Sequence, residues 1–86
     1  MAANRNDISV WFDKGKKTSS DFLIIVCDTF DYTDYPVFTT AEYFYEVYNK
    51  FNGQNMQKVM EVYDLSMDKE FQLNEYRAFH FPKKED

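Results

Sequence analysis

The run FLIIVC, residues 22 to 27, constrains this chain more than any other stretch. Six consecutive apolar residues, rich in β-branched side chains, are too few for a typical helix, so the run reads as a strand covered on both faces. The rest of an 86-residue chain must then be arranged around it. With 44% hydrophobic and 20% aromatic residues there is enough apolar surface to build that core, because each buried aromatic withdraws a large area from water. One domain spanning 1–86 is expected, ordered over about 6–82, with short tails at 1–5 and 83–86.

The flanking segments supply the other elements. Asn6 or Asp7 can cap a helix in which Ile8, Trp11 and Phe12 share a face, with Gly15 placed to stop it and Lys14, Lys16 and Lys17 at the cation-favouring end. After the central strand, YPVFT reads as a second one in hairpin connection, and Pro36 suits an edge because proline cannot donate to a ladder. Thr39 and Glu42 have capping-box spacing, opening a helix that puts Phe44, Val47, Tyr48 and Phe51 on one side. Glu42, Glu46, Asn49 and Lys50 take the opposite side, with Tyr43 and Tyr45 on the flanks, and Asn52-Gly53 ends the helix.

NMQKVMEVYDL matches two templates. Met56, Val59, Met60 and Tyr63 have helical spacing, whereas VMEVYDL has strand composition. Strand is chosen for Lys58 to Leu65, because Asp64-Leu65-Ser66 reads as a strand end passing into a helix cap at Ser66. MDKEFQLNEY then supplies a third helix, and the alternation in RAFHF a last strand. The expected order is α-β-β-α-β-α-β. This is a small α+β fold with a roughly four-stranded mixed sheet, its helices mainly on one face and the other face open for interaction.

Fifteen acidic residues against ten basic ones give a net charge of −5 and a pI near 4.7. Such a balance repels phosphate, so direct nucleic-acid binding is disfavoured. No segment approaches the roughly 18 apolar residues of a membrane span, and MAANRNDIS carries no apolar signal core. One cysteine and one histidine provide neither an internal disulfide nor a Cys/His zinc site, which suits a reducing, cytoplasmic setting.

The candidate chemistry gathers in VCDTFDYTDYPV, residues 26 to 37. Asp28, Asp31 and Asp34 carry oxygen ligands a hard cation would accept, yet the sixth position counted from Asp28 is Thr33 where an EF-hand loop needs glycine. Turn formation is the favoured role, since aspartate bonds readily to turn backbone. Cys27 and His80 could form a nucleophile and base if their strands were neighbours, but a cysteine ending a buried run behaves as a small hydrophobe. Phe30, Tyr32, Tyr35 and Phe38 can stack on a partner or pack on the core. The reading is therefore of no catalytic residue, no cofactor and no metal. The partner-binding set is Asp28, Asp31, Tyr32, Asp34, Tyr35, Glu42, Tyr45 and Glu46, facing a protein with a basic surface.

VCDTFDYTDYPV, followed by YNKFNGQNMQKVMEVYDLSMDKEFQLNEYRAFHF, resembles a family of small uncharacterised proteins of bacteria and their phages. The resemblance runs from about Trp11 to Phe81, with shared segments at Cys27 to Val37, Asn52 to Leu65 and Arg77 to Phe81. It implies a compact domain of prokaryotic or phage origin and transfers no activity. Small size, acidity and missing catalytic machinery then suggest an interaction protein, in its fullest form an anti-CRISPR-like decoy that occupies the basic nucleic-acid channel of a host defence complex. The alternative is a small-ligand or divalent-metal binding protein, or a minor enzyme, built on the Asp28 to Tyr35 loop.

Overall fold

The computed structural model describes residues 4–75 and 78–82. Residues 1–3 and 83–86 of the expected tails, and Arg77 of the expected last strand, lie outside the described residues, whereas Asn4 and Arg5 of the expected N-terminal tail cap and open the first helix. Helix α1 covers Arg5–Lys17, followed by strands β1 (Phe22–Asp28) and β2 (Thr33–Thr39), helix α2 (Phe44–Phe51), strand β3 (Gln57–Asp64) and helix α3 (Lys69–Leu73).

Helix α1 begins earlier than its apolar spacing indicates. Asn4 accepts the Asp7 N–H at 2.9 Å while Asp7 Oδ2 accepts the Asn4 N–H at 3.3 Å, a reciprocal cap that satisfies two N-terminal donors. It also continues through Gly15 to Lys17. That glycine does not stop the helix: a Cβ there would lie 2.7 Å from Leu65 Cδ1 and 3.0 Å from Phe38, so its small size lets α1 approach the sheet. Helix α2 corrects a second boundary. Thr39 ends β2 and donates its hydroxyl to the Thr40 carbonyl at 3.3 Å, and the helix starts at Phe44 after Tyr43, which makes no side-chain cap.

Among the described residues the sheet has three strands in the order β2-β1-β3, both pairings antiparallel. FLIIVC thus occupies the central strand, and Pro36 lies in an outer one, opposite Ile25, where a missing donor is tolerated. Alternation along β1 sends Leu23 and Ile25 to one face and Phe22, Ile24 and Val26 to the other. On the first face they meet Ile8, Phe12, Tyr63, Leu65, Leu73 and Ala78; on the second, Phe44, Val59 and Val62. Helices α1 and α3 cover the first face, and α2 covers the second. The expected one-sided arrangement is therefore incorrect, and the reason is in β1 itself: five successive buried residues, Phe22 to Val26, need cover on both sides.

The ambiguity of NMQKVMEVYDL has a structural origin. Strand β3 pairs Glu61 with Ile25 but Val59 with Val26, leaving Met60 as an extra residue in a β-bulge. The bulge resets the alternation, so Val59 and Val62, three residues apart, enter the same core. A helical spacing is thereby produced on a strand.

Among the described residues, the expected fourth strand is reduced to one parallel bridge, Val62 with Phe79. Val62 N–H donates to the Ala78 carbonyl at 2.8 Å and its own carbonyl accepts from His80 N–H at 3.0 Å. Two residues along the same edge, the buried Gln72 substitutes for a neighbouring strand. Its Oε1 accepts the Asp64 N–H at 2.7 Å, and its Nε2 donates to the Asp64 carbonyl at 2.8 Å and to that of Asp68 at 3.2 Å. Asp68, rather than Ser66, caps α3 by accepting from Phe71 N–H, and Lys69 reaches back to Asp13 of α1 at 3.2 Å.

Candidate functional site

The turn between β1 and β2 is fixed by its own side chains. Asp28 Oδ1 accepts the N–H of Phe30 at 2.9 Å and of Asp31 at 3.4 Å, the aspartate turn its composition implies. Tyr32 completes the reversal with φ of 56°, a left-handed conformation uncommon for a residue with a Cβ. The loop before β3 meets this turn: Thr29 donates both its N–H, at 2.7 Å, and its hydroxyl, at 2.6 Å, to the Met56 carbonyl. That second loop also holds left-handed residues, Asn55 at φ 51°, Met56 at 60° and Gly53 at 79°. Two mutually bonded loops therefore form a tip whose backbone is held while its apolar side chains face water. Phe30 and Tyr32 are each 71% exposed and Met56 58%.

The proposed binding residues divide into two places. Asp28 is turned inward onto the backbone, whereas Asp31 and Tyr32 are exposed. Tyr35 is half-buried, its hydroxyl accepting from the Gln57 amide and its ring edge-on to Phe51 at 6.4 Å. Burial, aided by the Asp28 charge, pushes its phenol pKa up. Asp34 pairs with Cys27 and so lies on the opposite sheet face from Asp28 and Tyr35. The three aspartates do not converge, and among the described residues no group of three or more His, Cys, Asp or Glu is placed to hold a metal ion. Glu42, Tyr45 and Glu46 sit at the start of α2, whose Phe44 ring lies 5.0 Å from Phe22 at the beginning of β1. The tip is at the other end of that seven-residue strand, about 20 Å away.

A scan against protein-family models and searches of curated proteins and of solved structures return no match to this chain. The family resemblance drawn from the sequence rests on the quoted residues alone.

Cys27 and His80 have separate companions. Burial first, then the hydrogen bond and charge of Asp34 and the charge of Asp28, push the Cys27 thiol pKa up, away from the thiolate a nucleophile requires. His80 Nε2 instead meets Glu75 Oε1 at 2.6 Å, beyond β3 from the central strand that carries Cys27.

Two features escaped the sequence reading. Phe44 is fully buried at the centre of an aromatic cluster, with Tyr45 at 5.1 Å, Tyr48 at 5.9 Å and Phe81 at 5.7 Å. Phe79 stacks on Phe81 at 6.1 Å, extending the cluster outward as an exposed ridge. The alternation of RAFHF was visible, but as a strand signal rather than a surface. On the other sheet face the Tyr63 hydroxyl donates to Glu61 Oε2 at 2.8 Å, and the same oxygen accepts the Ala78 N–H at 3.1 Å. Burial, reinforced by Glu61, raises the Tyr63 pKa well above the ordinary phenol range. A glutamate and a tyrosine two apart on a strand share a face; that spacing could have revealed the pair.

Proposed function

We propose that the chain is a non-enzymatic protein-binding module that presents the β1–β2 tip to a partner with a basic surface. The observation that carries this reading is the contrast at the tip: Phe30 and Tyr32 are 71% exposed while the backbone beneath them is fixed by Asp28, Thr29 and Met56. An aromatic pair held ready loses little freedom on binding, and aromatic residues dominate interface energetics. The exposed Asp31 between them, together with a net charge of −5, favours a cationic partner and speeds the encounter. In its fullest form this is an acidic inhibitor, of prokaryotic or phage origin, acting in the cytoplasm on the nucleic-acid channel of a defence complex.

The ligand-binding alternative has less support, since Asp28 is committed to the turn and Asp34 projects from the other sheet face. Affinity capture from a bacterial host lysate tests the proposal. A retained protein, lost from a Phe30→Ala/Tyr32→Ala variant and released as salt rises, is the expected result. Retention that is indifferent to both would overturn it.

A further inference from the structure

A second surface lies at the opposite end of the sheet. The chain enters β1 through Asp21 and leaves β3 through Asp64, and between them is a cleft of about 300 Å³ lined by Asp21, Phe22, Ala41, Asp64, Ser66 and Pro82. Each carboxylate uses one oxygen to hold the fold: Asp21 Oδ2 accepts the Ala41 N–H at 2.9 Å, and Asp64 Oδ1 accepts from the Ser66 N–H at 2.9 Å and hydroxyl at 2.6 Å. Among the described residues, no hydrogen bond or ion pair engages the second oxygen of either. The wall of the cleft continues into the aromatic ridge, because Phe22 packs on Phe44 and Pro82 follows Phe81, which lies against Phe44 and Tyr48. Tyr45, Phe79 and Phe81 are each about two-fifths exposed there, and Glu42 and Glu46 at the start of α2 add two exposed carboxylates.

We propose that this cleft and ridge receive an arginine side chain from a basic protein segment. The guanidinium sits between Asp21 and Asp64, and the neighbouring residues of the segment lie along the ridge opposite Glu42 and Glu46. Arginine is favoured over lysine on two counts. Its planar fork offers five donors that can serve two carboxylates at once, and it stacks on aromatic faces where an ammonium prefers its water. The proposal rests on the reading of the chain as a protein-binding module, but it places a contact about 20 Å from the tip, so the two can fail separately.

Titration of the isotopically labelled chain with octa-arginine and octa-lysine peptides, followed by NMR at physiological salt, tests it. Amide shifts should concentrate at Asp21, Phe22, Ala41, Asp64 and Phe81, with octa-arginine bound about tenfold more tightly than octa-lysine. Asp21→Asn/Asp64→Asn keeps the oxygens that hold Ala41 and Ser66 but removes the charges, and should weaken octa-arginine about tenfold. Ala41→Arg, at an exposed position, fills the cleft from within and should abolish the Arg-over-Lys preference even if the double variant fails to fold. Val10→Ala, at an exposed position on α1, should leave octa-arginine affinity within about twofold, since distant sites act independently. Shifts confined to the tip or spread over the whole acidic surface, or equal affinity for the two peptides, would overturn the assignment.

Discussion

Replacing Gln72 by leucine is the sharpest test of how β3 is held. The side chain is fully buried, and its amide closes the strand edge through three hydrogen bonds, one from the Asp64 N–H and two to the Asp64 and Asp68 carbonyls. Leucine is close in volume but can neither accept nor donate. Each bond contributes about 0.5 to 1.5 kcal/mol net, and a backbone group left buried and unpaired costs about 1 to 3 kcal/mol. Asp64 is only half-buried, so water recovers part of the loss. The expected destabilisation is about 2 to 4 kcal/mol, against a total of about 4 to 13 kcal/mol for a chain of this length. Tm should fall by roughly 8 to 30 °C. Thermal circular dichroism and urea unfolding measure it, with the urea m-value unchanged. Gln72→Glu adds a control. Its carboxylate would face two carbonyls, which raises its pKa in the folded state. The stability this variant keeps is then present when the group is protonated, below about pH 4, and is lost as pH rises through the folded pKa. A Gln72→Leu protein within about 0.5 kcal/mol of the parent, the usual range for neutral surface changes, would refute the role given to this amide.

Three further outcomes follow from the geometry. Gly15→Ala should destabilise by about 1 kcal/mol in urea unfolding, because overpacking against Leu65 and Phe38 outweighs the gain in helix propensity; a stabilised variant would contradict the close approach of α1. Tyr63 has a raised pKa, so stability should be flat below the unfolded phenol value near 10 and fall above it, where only the unfolded chain ionises. Tyr63→Phe should lose about 1 kcal/mol at neutral pH and show a weaker alkaline decline in denaturation curves. Cys27, its thiol pKa raised by burial and by Asp34, should react with iodoacetamide about tenfold more slowly in the folded protein than in urea; equal rates would mean that the strand end opens freely.

The parts of the fold legible in the sequence were those with a strong local signal. FLIIVC is the central strand because no other element accommodates five consecutive buried residues, and β3 was placed within a residue at each end. What stayed hidden depended on partners far along the chain. Gly15 looks like a helix stop until Leu65 and Phe38 are known to lie beneath it, and Gln72 looks like an ordinary helix former until Asp64 is seen beside it. The segment 78–82 keeps the alternation of a strand yet bridges β3 only at Val62, where its aromatic rings are drawn to Phe44. Within the proposed site, the turn role of Asp28 was readable from residue type. The separation of Asp34 from Tyr35 follows from strand alternation once β2 is known to begin at Thr33, and the distance from the tip to Glu42 follows from the packing of Phe44 on Phe22, at the far end of β1.

The central claim is that the tip is built for a protein partner, and it is tested most directly by comparing capture by the parent chain and by Phe30→Ala/Tyr32→Ala from the same host lysate. Both side chains are exposed, so the variant should unfold at the parent's temperature within error. The account predicts a retained partner whose affinity for the variant falls at least tenfold, or about 1.4 kcal/mol. Equal retention by a fully folded variant would contradict it.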